Sequence, residues 1–326
     1  MNMKEKIKRV ILYLVISIIL PVCIVGCRKT DASTAEKELI IFHAGSLSVP
    51  FRQVSELFKE QYPDIVIKAE ASGSRSAARK ICDLNRRCDV FGSADYRVVE
   101  DLLMPDYVSF NIRFALNEMV IAYIDKSRLA GNITSDNWFE ILMKNKVAFG
   151  RSNPDLDPCG YRCLMVFQLA EKYYKVPRLA EKLTSKDRYI RPKETDLLAL
   201  LEAGEIDYLF IYRSIAVQHK LNMIMLPDEI NLKSPAFADL YMTASVKLSG
   251  KKPGTFITRS GEPMVYSVTI PDNAPNPEAA EAWVRLLFSP EGRQIMEDNG
   301  QPFLTPAKAD GSGMPHSLES FCERQK

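Results

Sequence analysis

Apolar positions over residues 38–103 follow two rhythms in turn, first every second residue and then every third or fourth, and this alternation comes three times. Residues 38–43 read as a strand and residues 44–47 as a Gly-Ser turn. A helix follows from Ser48, with Pro50 in its first turn and Val54, Leu57 and Phe58 at helical spacing. The order then repeats: residues 65–70 alternate as a strand, Ser72-Gly73-Ser74 turns, and residues 77–84 continue as a helix. A third strand over residues 88–92 runs through Ser93-Ala94-Asp95 into a helix carrying Leu102 and Leu103. Three strand–helix units in succession predict a parallel sheet with helices on both faces.

Residues 110–124 form a longer apolar stretch, which reads as a crossover with a strand at 119–123 opening a second unit. There Ser135-Asp136 caps a helix through Trp138, Ile141 and Leu142, and residues 146–150 form a strand that enters the loop 152–162. A helix leaves that loop and runs to about Tyr174. Next come a strand at 189–193, a helix from Glu194 that stops at Gly204, and a buried strand at 206–211 ending at Tyr212. Residues 223–226 make a short strand, and residues 227–241 are irregular. Residues 264–270 alternate as a strand that returns to the first unit. Asn276-Pro277-Glu278 and Ser289-Pro290-Glu291 each open a helix, over residues 279–288 and 292–298.

Length and composition change this picture little: 326 residues, 46% hydrophobic and 26% charged, suffice for two modest α/β units. The 43 basic and 41 acidic side chains are interspersed, so no basic stripe suggests nucleic acid as a partner. The first residues matter more. Lys4, Lys6, Lys8 and Arg9 precede an apolar run over residues 10–22, the pattern of a secretory signal covering residues 1–26. It closes on Ile24-Val25-Gly26-Cys27, which resembles the bacterial lipoprotein box and makes Cys27 the expected lipid anchor. Residues 27–37 are polar enough to serve as a flexible tether. Five cysteines follow Cys27; Cys82 and Cys88 are the only close pair able to bridge a loop, and Cys159 and Cys163 share one helix face as a metal pair or as two small buried residues.

Candidate chemistry gathers where strands end, the place where open α/β sheets bind ligands. Gly45-Ser46, Gly73-Ser74, the loop from Asp157 to Gly160, Glu194 and Tyr212 all fall there. Serine hydroxyls and backbone N–H groups beside glycines are neutral donors that approach an oxyanion closely. Asp157 stands at the expected N-cap before Pro158, and the helix N-terminus behind it favours an anion. An acid at an anion site is either a cap or a ligand to something positive inside the anion. Asp155 competes with Asp157 for that role, although it lies further from the helix start. Glu194 reads equally as a first-turn acid favoured by the helix dipole. Arg75, Arg151 and Arg213 neighbour these loops as rim or closure residues, or as solvated surface.

The set as a whole resembles a family: the lipid-anchored binding proteins of tungstate/molybdate ABC importers, of the type II periplasmic binding protein fold. The likeness runs through His43-Ala44-Gly45-Ser46-Leu47, Ser72-Gly73-Ser74, Ser93-Ala94-Asp95-Tyr96, Asp157-Pro158-Cys159-Gly160-Tyr161-Arg162, Arg191-Pro192-Lys193-Glu194 and Ile211-Tyr212-Arg213-Ser214. It implies two lobes of mixed sheets flanked by helices, residues 38–116 with 266–326 and residues 117–265, closing by a hinge on one anion in the cleft. Ser46 and Ser74 would donate from the first lobe. Backbone N–H groups near Cys159 and the Tyr212 hydroxyl would donate from the second. Asp157 and Glu194 would complete the coordination of a hexavalent centre, which can expand from about four oxygens to about six where sulfur or phosphorus cannot. Two acids left unpaired would repel those smaller anions. The resemblance further implies a monomer that hands its ligand to a membrane permease and its ATPase, with no cofactor of its own. Alternatives are sulfate, phosphate or ferric iron on the same fold, or an anchored serine hydrolase using Ser46 near His43.

Overall fold

The structure, a computed structural model, describes residues 37–324. The expected signal segment, the Cys27 anchor and the tether up to residue 36 lie outside the described residues. In chain order the first part holds β1 (Lys37–Ala44), α1 (Ser48–Gln61), β2 (Ile65–Ser72), α2 (Ser74–Cys82), β3 (Val90–Ser93), α3 (Tyr96–Val98) and β4 (Phe110–Leu116). The middle holds β5 (Met119–Tyr123), α4 (Trp138–Leu142), β6 (Phe149–Ser152), α5 (Pro158–Tyr173), α6 (Leu179–Lys186), β7 (Tyr189–Arg191), α7 (Leu198–Glu202), β8 (Tyr208–Tyr212), α8 (Arg213–Gln218) and β9 (Asn222–Met225). Then follow α9 (Ala238–Tyr241), a hairpin of β10 (Ser245–Ser249) and β11 (Phe256–Ser260), β12 (Val265–Thr269), α10 (Pro277–Leu287), α11 (Pro290–Asp298), β13 (Phe303–Gly311) and β14 (Cys322–Arg324).

These strands build two main sheets, with the order β14-β13-β4-β12-β3-β1-β2 in one and β7-β6-β8-β5-β9 in the other. The first is mixed rather than purely parallel. β1 and β3 run parallel as the strand–helix units require, but β12 returns between β3 and β4, antiparallel to both. In the second sheet β6 is parallel to β7 and β8, while β5 is antiparallel to β8 and β9. The chain passes from one sheet to the other at Asn117-Glu118, between β4 and β5, and comes back just before β12.

Local chemistry explains the elements that carry the site. α1 buries Pro50, Phe51, Val54 and Phe58, the three-and-four spacing of one helix face. α5 starts where Asp157, in an extended conformation, accepts from the Cys159 N–H, with Pro158 in the first turn. Its buried face runs through Cys159, Arg162, Cys163 and Val166. Cys82 and Cys88 are both buried free thiols, so no disulfide joins them. Among the described residues no helix is long and apolar enough to cross a membrane.

Under the first sheet, Trp283 of α10 is fully buried, meets Phe51 edge to face at 4.8 Å and donates its indole N–H to Ser55 at 3.1 Å. This contact fastens the C-terminal helices to α1. Trp283→Ala is expected to lower the unfolding free energy by about 3–5 kcal/mol, and Trp283→Phe by less, in urea titrations. Equal, sub-kilocalorie effects of both would contradict its place in the core.

Candidate functional site

The ends of β1, β2, β6 and β8 face one another between the sheets. Ser46, Ser74, Asp157, Cys159, Glu194 and Tyr212 are all buried there. Two glycines permit the approach. A Cβ on Gly45 would lie 2.9 Å from Glu194 Oε1, and one on Gly73 would lie 2.4 Å from the Leu156 carbonyl and 2.8 Å from Asp157 Cβ. The turn after β1 therefore packs on Glu194, and the turn after β2 packs on the Asp157 loop, so the two sheets are drawn together across the site.

The three hydroxyls are held in the same way. Ser74 Oγ accepts from the Ala94 N–H at 3.0 Å, Tyr212 accepts from Arg162 Nη1 at 3.0 Å, and Ser46 Oγ meets the Tyr266 hydroxyl at 2.8 Å. Among the acids, Asp157 Oδ1 accepts from the Cys159 N–H at 3.2 Å and Oδ2 from the Glu194 N–H at 3.1 Å. The Cys159 N–H that the sequence assigns to an anion is thus engaged by the cap, and any anion must share it. Neither carboxylate oxygen of Glu194 receives a hydrogen bond of good geometry, although both are buried. Asp155 points elsewhere: its Oδ1 accepts from the N–H and hydroxyl of Ser249, at 2.8 and 2.9 Å.

Burial raises the pKa of Glu194 well above its ordinary 4.5, and the neighbouring Asp157 charge raises it further. Burial also raises Asp157 above 3.8, against the hydrogen bonds that hold its charged form. Two adjacent carboxyls in a dry site cannot both ionise freely, so the pair retains a proton that each alone would release. Tyr212 is raised by burial and keeps its proton as a donor. Positive charge enters the site only indirectly. Arg162 is buried against Asp95, with Nη2 to Oδ2 at 3.1 Å, and donates to the Ala94 carbonyl at 2.8 Å.

That Asp95 contact is one of several polar bridges across the cleft. Tyr161 donates to Asp95, the Ser76 N–H donates to the Leu156 carbonyl at 3.0 Å, and Lys251 of the β10–β11 hairpin pairs with Asp106 at 2.6 Å. Arg75 is no solvated side chain: it is 1% exposed and donates to the Asp155 and Ser249 carbonyls on the facing side. Arg151 pairs with Asp187 within its own unit, and Arg213 stays partly exposed beside Glu118. Sequence reasoning gave no site role to Arg162, Asp95 or Tyr266, although the first two stand in the motifs that carry the resemblance. Arg162 was the legible one, since an arginine three residues after Cys159 and four before Val166 falls on an otherwise apolar face.

Two α/β units drawn together over buried donors and a pair of acids define a solute-binding protein of the periplasmic type. The chain belongs to the bacterial extracellular solute-binding protein family, whose model matches residues 39–301. A solute-binding protein of Petrotoga mobilis is 52% identical over 287 residues, 87% of this chain and 89% of that protein. The molybdate/tungstate-binding protein WtpA of Pyrococcus abyssi is 41% identical over 331 residues, 92% of this chain and 95% of its own length. Among solved structures, the periplasmic molybdate-binding protein of Azotobacter vinelandii shares the fold with TM-score 0.58 at 18% identity, covering 81% of this chain and 98% of that one. The sulfate-binding protein SubI of Mycobacterium tuberculosis shares it equally, with TM-score 0.58 at 9% identity over 83% and 88% of the two chains.

The acid pair has a pH signature. Both groups sit above their unfolded values, so the unfolded chain loses these protons first as pH rises, and the pair's effect on stability grows more unfavourable above the ordinary values of 3.8 and 4.5. In oxyanion-free protein, Glu194→Gln is expected to raise the melting temperature at about pH 7.5 and to converge on the wild type by about pH 4. A variant that melts below the wild type at the higher pH would contradict the repulsive pair.

Proposed function

We propose that the protein captures molybdate or tungstate between its two lobes and presents it to the permease of an ABC importer. The observation that carries this reading is the buried Asp157–Glu194 pair, with neither Glu194 oxygen satisfied by a donor. Such a pair is a poor partner for sulfate, whose filled oxygen shell would leave both charges uncompensated. It suits a hard, hexavalent centre that accepts two further oxygens. Ser46, Ser74, Tyr212 and the N–H at Cys159 hold the anion's own oxygens, and Asp157 and Glu194 reach the metal. The 41% identity to the molybdate/tungstate-binding protein of Pyrococcus abyssi, over 92% of this chain, supports the same ligand class.

The lobes of this reading are residues 38–116 with 266–326, and residues 117–265. They hinge at the two crossings and are held closed by the bridges of Asp95, Arg75 and Lys251. The protein acts outside the cytoplasm as a monomer, led there by residues 1–26 and tethered to the membrane through Cys27. It acts as a receptor and not as a catalyst. Ser46 Oγ bonds to Tyr266 at 2.8 Å and makes no hydrogen bond to His43, so the two are not arranged as nucleophile and base.

Calorimetry is expected to show molybdate and tungstate binding far more tightly than sulfate. Asp157→Asn and Glu194→Gln should each weaken the two oxometallates by about 1.5–3 kcal/mol, roughly tenfold to a hundredfold, while leaving sulfate unchanged or improved. Equal affinity for all three anions in the wild type would overturn the reading.

A further inference from the structure

A site hydroxyl whose protein neighbour can only donate has no competing acceptor for its own proton, which is then free for a ligand. For Ser74 that neighbour is the Ala94 N–H, and for Tyr212 it is Arg162; neither group can act as an acceptor. For Ser46 the neighbour is a phenol, Tyr266, which could either give or take. The direction is settled one step further back, at the chain crossing.

Asn117 lies between β4 and β5 and is buried. Its Oδ1 accepts from two backbone N–H groups, Glu118 at 2.9 Å and Ser214 at 3.3 Å, which fixes the amide's orientation. Nδ2 therefore faces the other way and donates to Ser214 Oγ at 2.8 Å and to the Tyr266 hydroxyl at 2.9 Å. Tyr266 is fully buried, and burial raises its pKa, so it keeps its proton. Were Ser46 to donate to Tyr266, the phenol would accept twice and its own proton would be left to the Gln301 side chain, which makes no hydrogen bond of good geometry to it. Donation from Tyr266 to Ser46 avoids this.

We propose that Asn117 is a positioning residue that acts through Tyr266 to turn Ser46 into a one-way donor toward the bound oxyanion. The inference rests on the reading that an oxyanion binds at Ser46, and it deepens that reading. All three hydroxyls then point protons at the ligand, so at these positions the pocket accepts bare oxo groups and opposes oxygens that carry a proton of their own, as in hydrogen phosphate. The same amide holds Ser214, two residues after Tyr212, so the polarity is set at the crossing where the two lobes join.

The test is molybdate titration calorimetry on the full chain and its variants. Asn117→Asp replaces the donor with an acceptor and reverses the relay: Tyr266 then donates to residue 117, and Ser46 donates to Tyr266 and turns a lone pair on the anion. A loss of about a hundredfold is expected, against a few-fold for Tyr266→Phe. Combining the two should recover at least tenfold of the Asn117→Asp loss, because no hydroxyl remains to carry the reversal. A double variant as weak as Asn117→Asp alone, or an Asn117→Asp protein that binds like the wild type, would overturn the relay. Should Asn117→Asp fail to fold by circular dichroism, Asn117→Ala replaces it. There the expected loss is about tenfold with no further loss on adding Tyr266→Phe, and additive losses would overturn the proposal. Failure of the wild type to bind molybdate would instead reject the ligand assignment itself.

Discussion

Two carboxyls brought together in a dry cleft set the terms for everything else in this protein. Burying Asp157 and Glu194 side by side is unfavourable while both are charged, and the fold does it with little compensation, since the Glu194 oxygens have no good donor. A site that only needed to hold a simple anion would gain nothing from them. The surrounding polarity is arranged around the same pair. Neutral hydroxyls surround it, and the nearest arginine, Arg162, has its charge largely met by Asp95. In the proposed receptor, selectivity follows from what the pair rejects as much as from what it accepts.

Closure is built from reversible contacts. The polar bridges between the two sides are ion pairs and hydrogen bonds, at Asp95, Ser76, Arg75 and Lys251. Close approach of the chain at Gly73 and Gly45 brings the acids within reach of the turns after β2 and β1. On the proposed hinged reading, a ligand that satisfies both acids would stabilise the closed arrangement more than an open one, which is the differential affinity a population shift requires.

Much of this was legible in the chain. The strand–helix rhythm and the Asp157-Pro158 helix start survive in β1 to α3 and in α5 because they are local signals. What failed to show was long-range or weakly patterned. The β10–β11 hairpin has mostly half-exposed faces and a six-residue loop over residues 250–255 in place of a tight turn signal. α6 fully buries only Leu179 and Leu183, and β13 contains Pro306, a residue that weakens any strand pattern. The antiparallel return of β12 is a matter of tertiary pairing that no window of sequence contains. Tyr266 stands 220 residues from Ser46, and Asn117 reaches it across another 149, so the hydroxyl relay exists only once the crossings are folded.

X-ray absorption at the molybdenum or tungsten edge of the loaded protein tests the central claim most directly, because it counts the oxygens around the metal. The account predicts about six, four from the anion and one from each acid, with one neighbour lost in Asp157→Asn or Glu194→Gln. A shell of four oxygens, unchanged by either substitution, would show that the acids do not touch the metal and would contradict the account.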